Sequence, residues 1–210
     1  MVLVDQHQEI FTASPSLAPY QAIGIGPGLG TNWLTCKALR ELLEGADKPL
    51  VLDADALNIL GLHPDWQTQV PQDSKLAQHT KEFERLLGKT NHSFERWELL
   101  REQAQRLGCY VILKGGNSIL ACPNGNLYFT SVGNPGMGTA GSGDTLTGIL
   151  CGLMAQGYPA KKSAILGICL HGLAGDLACE QQDMEGLIAE DIINNLGRAF
   201  SRLRQLRGAP

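Results

Sequence analysis

A chain of 210 residues, 43% apolar and 18% charged, can bury one sizeable core, which excludes a disordered or fibrous polypeptide. A net charge of −4 excludes the basic footprint of a long polynucleotide binder. The opening MVLVDQHQEIF is polar where a secretory core would stand, and no apolar run approaches the roughly 18 residues of a membrane span.

Six cysteines show no C-x-x-C pair and lie mostly in apolar runs. They read as small buried residues of a reducing cytoplasm. Met1 to Val4 is a candidate strand, followed by loop to Pro19. Tyr20 to Ile25 is an apolar run that meets Gly26-Pro27-Gly28-Leu29-Gly30. Thr31 or Asn32 can cap a helix to about Leu43, with Trp33, Leu34, Ala38, Leu39 and Leu42 on one face. The glycines lack the dinucleotide G-x-G-x-x-G spacing, so no Rossmann site is assigned.

Pro49 to Leu52 reads as a buried parallel strand, with Asp53-Ala54-Asp55 at its carboxyl end and a short helix from Ala56. Two carboxylates there can hold Mg²⁺ or order a polar network, or Asp55 can simply cap the helix. Lys75 to Gln78 is a short strand candidate. His79 stands at a strand-to-helix junction, where a hydrogen-bonded structural role competes with a functional one. Glu82 to Leu87 and Ser93 to Leu107 are helical. Cys109 to Leu113 is a strand ending in Lys114-Gly115-Gly116-Asn117-Ser118. Lys114 there is either a cation offered to a phosphate or a surface lysine beside a turn. Ile119 to Cys122 and Leu127 to Thr130 form a hairpin around Asn124-Gly125.

The stretch Asn134 to Ile149, NPGMGTAGSGDTLTGI, is a glycine loop feeding a helix. Its unpaired N–H groups and dipole make an anion site. Asp144 in the first turn is either a dipole-matched residue, a metal ligand, or the acceptor of a proton from a reacting hydroxyl. A helix over Ala160 to Glu180 is apolar all round, interrupted by His171 and Asp176, which read as satisfied core polars. A last helix runs from about Ile188 to Leu206. Strands alternating with helices predict a single α/β domain with a mostly parallel sheet.

Six blocks together resemble the C-terminal dehydratase domain of the NAD(P)H-hydrate repair enzymes, a ribokinase-like fold. They are AIGIGPGLG (22–30), PLVLDADALNIL (49–60), HTKEFERLLG (79–88), VILKGGNS (111–118), GNPGMGTAGSGDTLTGIL (133–150) and LHGLAGDLA (170–178). The resemblance implies ADP- or ATP-driven loss of water from hydrated NADH or NADPH. It implies that Lys114, Gly115, Gly116, Asn117, Ser118 and Gly143 approach the nucleotide. Gly28, His79 and Asp144 would meet the hydrated dinucleotide, with Asp144 as general base. Asp53, Asp55, Asn134 and Gly141 would support the site, with Mg²⁺ near the two aspartates. It further implies a homo-oligomer, tetrameric or larger.

Two departures stand out. The family's T-P-H-P is Ala77-Gln78-His79-Thr80 here, which removes both residues that stiffen the His79 loop. The family domain also carries a Gly-Ala-rich strand–helix segment before the point where Met1 falls. Its absence predicts a sheet short of one or more strands and an incomplete dinucleotide pocket: a fragment, a late gene start, or a gap filled by a partner. Alternative expectations are a small-molecule kinase of the same fold and a non-catalytic nucleotide-binding remnant.

Overall fold

The computed structural model describes residues 4–207. The candidate strand at Met1 to Val4 lies almost wholly outside them, and Val4 belongs to no regular element. Six strands form one sheet in sequence order: β1 (Ile23–Ile25), β2 (Leu50–Asp53), β3 (Lys75–His79), β4 (Tyr110–Lys114), β5 (Ile119–Ala121) and β6 (Leu127–Phe129). β1 to β4 are parallel, and the β5–β6 hairpin is antiparallel at one edge. The mostly parallel α/β expectation holds.

The helices are α1 (Trp33–Gly45), α2 (Ala54–Leu62), α3 (Thr80–Leu87), α4 (Ser93–Leu107), α5 (Ser142–Ala155), α6 (Ala160–Gln182) and α7 (Ala189–Arg207). Short 3-10 turns at Pro64–Gln69 and Pro135–Met137 had no sequence expectation. Because strand side chains alternate faces, each central strand serves two cores. Leu52, Leu76 and Val111 pack with Leu39, Leu60 and Leu100 of α1, α2 and α4. Val51, Ala77 and Ile112 pack with Leu146 and Leu150 of α5 and Ile168 of α6. α7 covers α5 and α6 through Ile192 and Ala199.

Two local expectations are corrected. Trp33 is 71% exposed, because it shares a helix face with the exposed Lys37 and Arg40, while Thr35, Cys36, Ala38 and Leu39 face the core. Asp53, rather than Asp55, caps α2: its carboxylate accepts from the Ala54 backbone N at 2.7 Å. α6 is 23 residues long and contains an 18-residue stretch with a mean hydropathy of 1.2, enough by length and composition to pass for a membrane span. Its apolar surface instead packs against α5 and α7. All six cysteines are free thiols, three of them buried.

The carboxyl ends of the parallel strands lie at one end of the sheet: Gly26 after β1, Asp53 on β2, His79 on β3 and Lys114 on β4. Gly26 has φ 135, and a side-chain carbon there would overlap the Asp53 carbonyl. Gly26→Ala combines a left-handed strain with a backbone clash and is expected to cost roughly 3 kcal/mol or more. Urea denaturation checks this; a loss well below about 1 kcal/mol would mean that the turn relaxes freely.

Candidate active site

The site begins with a buried ion pair. Asp53 is 1% exposed and Lys114 is 9% exposed, and Lys114 Nζ donates to Asp53 Oδ1 at 2.5 Å. Thr147 Oγ1 on α5 donates to Asp53 Oδ2 at 2.8 Å. One carboxylate therefore ties the ends of β2 and β4 to the second turn of α5. Of the two sequence readings of Lys114, the surface lysine is excluded, and the cation at the strand end is already paired with Asp53.

α5 points its N-terminus into this junction. The ideal Cβ position of Gly143 lies 3.2 Å from Lys114 Nζ, 3.7 Å from His79 Nε2 and 3.8 Å from Asp53 Oδ2. A cavity of about 400 Å³ opens here, between the end of β4, the 132–143 loop and α6. His79, Lys114, Gly115, Gly116, Ser118, Asn134 and Gly143 all line it. Its walls also include the apolar Val132, Met137 and Ile168, together with Ser142 and Gly143 at the start of α5. A helix terminus with bare glycine backbone beside a lysine suits an anion such as a phosphate chain.

Other expected residues stand elsewhere. Asn117 is exposed and, like Gly28 and Gly141, does not line the cavity. Asp144 is exposed and borders a separate apolar groove between α5 and α7, next to Gly148 and Ile193. The reason is helical geometry: each residue turns about 100° around the axis, so if Gly143 faces the cavity its successor cannot. Asp144 thus stands beside the cavity mouth and outside it. The expected Mg²⁺ position is also corrected. Asp53 is consumed by Lys114, Thr147 and Ala54, while Asp55 accepts from Gly30 N at 2.8 Å and Asn58 Nδ2 at 3.1 Å. Asp55 holds the Gly26–Gly30 turn. Among the described residues no three His, Cys, Asp or Glu side chains cluster to hold a metal. The two aspartates do not fit an Mg²⁺ site.

The altered His79 loop is stiffened by other means. Glu82 accepts from His79 N at 2.6 Å, and the buried Gln78 donates to Gln103 of α4 at 3.1 Å. His79 stays in register with Lys114 across β3–β4. Partial burial, then the Lys114 ammonium, push its pKa below the usual value.

The two polar residues on α6 that the sequence reads as satisfied core polars do have partners, and these belong to the cavity loop and the start of α5. Asp176 accepts from Gly133 N and Asn134 Nδ2, and His171 Nε2 lies 2.9 Å from the Ser142 carbonyl and 3.2 Å from Ser142 Oγ. His171 lines the cavity, and burial lowers its pKa to about 4. It is neutral near pH 7, with Nε2–H donated to the carbonyl. Unfolded, a histidine titrates near 6.5, so as pH falls the unfolded chain binds this proton first. Stability is then complete above about pH 6.5 and declines toward pH 4, by roughly 3 kcal/mol at most. His171→Gln, which can still donate to Ser142 O, is expected to flatten this part of the pH dependence. Urea midpoints at about pH 7.5 and pH 5 check it; an unchanged slope would place the titration elsewhere.

The sheet order, the glycine loop feeding α5 and the cavity at the strand ends define a ribokinase-like α/β protein with a nucleotide-sized site. A profile of the family described as NAD(P)H-hydrate dehydratase matches residues 1–198, and the chain belongs to that family. It is 38% identical over 191 residues to the bifunctional NAD(P)H-hydrate repair enzyme of Moorella thermoacetica, covering 90% of this chain and 36% of that one. It is 39% identical over 186 residues to the ADP-dependent (S)-NAD(P)H-hydrate dehydratase of Neisseria meningitidis, covering 84% of this chain and 63% of that one. The chain therefore spans about a third of the bifunctional relative's length and under two thirds of the dehydratase. Among solved structures it matches the Bacillus subtilis ADP/ATP-dependent NAD(P)H-hydrate dehydratase co-crystallized with ATP/Mg²⁺, with a TM-score of 0.73 and 28% identity over 87% of this chain and 64% of that one.

Proposed function

We propose that this chain carries out the ADP-dependent dehydration of hydrated NADH and NADPH, returning the intact reduced cofactor. The observation that carries this reading is the convergence of the α5 terminus, Lys114 and His79 on one cavity beside an exposed aspartate. The nucleotide's phosphates occupy the amides of Ser142 and Gly143, and its remaining bulk lies along Gly115, Gly116 and Ser118. Lys114 offsets charge at the terminal phosphate, although Asp53 shares it. Asp144 takes the proton of the ring hydroxyl as that oxygen accepts the terminal phosphoryl group of ADP. Inorganic phosphate then leaves with the former hydroxyl oxygen, a ring proton is lost, and the ring double bond is restored; the nucleotide product is AMP. Hydroxide is a poor leaving group and phosphate a good one, so the transfer makes the elimination feasible. Any Mg²⁺ accompanies the nucleotide phosphates, a reading supported by the lack, among the described residues, of three clustered His, Cys, Asp or Glu side chains.

The reading includes a cytoplasmic homo-oligomer. The test is to incubate the protein with ADP and prepared NADH hydrate and follow nicotinamide absorbance together with AMP. Recovery of absorbance with stoichiometric AMP is the expected result. No recovery, with phosphorylation of a vitamin or sugar alcohol instead, would make the chain a small-molecule kinase. Absence of any turnover despite ADP binding would leave a nucleotide-binding remnant.

A further inference from the structure

We propose that Asp176, which does not line the cavity, is a positioning residue for nucleotide binding: it clamps the start of the cavity-wall loop to α6. This rests on the nucleotide reading above.

Its two oxygens have separate tasks. Oδ2 accepts from Gly133 N at 2.9 Å and Oδ1 accepts from Asn134 Nδ2 at 3.0 Å. Asn134 is held from its other side, where Cys179 Sγ donates to Oδ1 at 3.1 Å. The same face of α6 is cut back to admit the loop. A side-chain carbon on Gly172 would lie 2.8 Å from the Val132 carbonyl, and one on Gly175 would overlap Met137 Sδ. Residues 172, 175, 176 and 179 share one helix face by their spacing. One stripe of α6 therefore carries two small residues for close approach, one carboxylate for two donors and one thiol donor.

The clamped segment is functional wall. Val132, Gly133, Asn134 and Met137 all border the cavity, and the loop continues to the α5 terminus. That far end is held by His171 on the same helix, through Ser142. α6 thus anchors both ends of the loop, and Asp176 sets the distance between its apolar wall and the phosphate end. A ligand that spans both ends, as a nucleotide does, needs that distance fixed before it binds; disordering it is paid for in affinity.

The chemistry makes a sharp test. In Asp176→Asn the new amide group faces a donor, either Gly133 N–H or Asn134 Nδ2. Asn134 can answer only by flipping, which turns its NH₂ against Cys179 Sγ. The exchange of partners, N134D with D176N, restores complementarity: residue 176 accepts from Gly133 N and donates to residue 134, whose second oxygen accepts from Cys179. Calorimetry with ADP is expected to show about a tenfold weaker Kd for D176N and recovery to within about threefold in the exchanged pair. Steady-state rates should show a raised KM for ADP with kcat and the KM for hydrate little changed, a split that general destabilisation would not produce.

If wild type binds ADP and D176N binds it equally well, Asp176 is only structural and the inference fails while the proposed function stands. An exchanged pair that folds, by urea denaturation, but binds no better than D176N also overturns it. If D176N does not fold, the exchanged pair alone decides: a folded pair with near wild-type affinity supports the clamp, and anything less refutes it. If wild type binds no ADP, the proposed function fails first and this inference with it.

Discussion

Asp144→Asn is expected to lower turnover by about 10²- to 10⁴-fold while leaving ADP affinity nearly unchanged. The exposed carboxylate sits one residue beyond Gly143, whose face meets Lys114, His79 and Asp53. The amides that would hold phosphate belong to the backbone and survive the substitution. Removing a negative charge from the first turn of α5 forfeits a dipole interaction of about 0.3–1 kcal/mol, too little to unfold the protein. It also removes a repulsion toward bound phosphate, so ADP affinity should hold or rise slightly. What disappears is the carboxylate assigned to accept a proton from the substrate hydroxyl. The measurement pairs single-turnover dehydration with calorimetry. A collapse of ADP affinity in a folded variant would show that Asp144 binds nucleotide, and the assigned base would have to be sought elsewhere; His79, already biased toward its neutral form, is the next group to test.

Periodicity located the architecture well because the signals were local. α4 (Ser93–Leu107) was expected at the same residues, and β2, β3 and β4 differ from expectation by a residue or so at one or both ends. Those strands are short apolar runs closed by polar residues, and burial on both faces leaves little ambiguity. The site was legible by residue type and less so by partner. Asp53 and Asp55 both follow a strand and precede a helix, so each suits capping or metal binding. Their separation depends on β3 lying between β2 and β4, which lets Lys114 reach over and claim Asp53. No local pattern encodes a contact 61 residues away.

The partners of His171 and Asp176 were hidden for another reason. Both interrupt an apolar helix, and five residues' separation puts them on different faces, so neither strengthens the other's signal. The usable clue was the neighbouring pair Gly172 and Gly175. Glycines in a helix interior cost stability, and paired with a carboxylate they signal another chain segment in close approach. Substitution at the His79 loop misled in the opposite direction. Replacing the stiffening residues with Gln78 and Thr80 suggested a loose loop, but Gln78 found a buried partner in Gln103 on a distant helix. Motif comparison registers what is lost and cannot register a compensation made in three dimensions.

Asp53→Ala should produce the largest stability loss in the molecule, about 3–5 kcal/mol, because it strands the nearly buried Lys114 ammonium and removes the acceptor of Thr147 Oγ1. In a domain of this size each kcal/mol moves the Tm by about 2–4 °C, so the transition should fall by roughly 6–20 °C. The loss would not measure how much the pair contributes. A buried ion pair replaced as a unit by groups of similar volume is often neutral, since the desolvation cost disappears with the attraction. Asp53→Asn with Lys114→Met keeps the Ala54 cap through the amide oxygen, lets the amide NH₂ donate to the Thr147 hydroxyl, and fills the lysine's volume without charge. That double variant should lie within about 1.5 kcal/mol of wild type, and the double-mutant cycle should return a strongly favourable coupling. Its ADP affinity should nevertheless be poor, because the cation beside Gly143 is gone. Stability retained with nucleotide affinity lost would separate the two tasks of this pair, joining β2, β4 and α5 and supplying charge at the phosphate end. If Asp53→Ala costs less than about 1 kcal/mol, the junction is held by backbone pairing and apolar burial alone. If the double variant binds ADP like wild type, the helix terminus suffices for the phosphates and Lys114 serves only to neutralise Asp53.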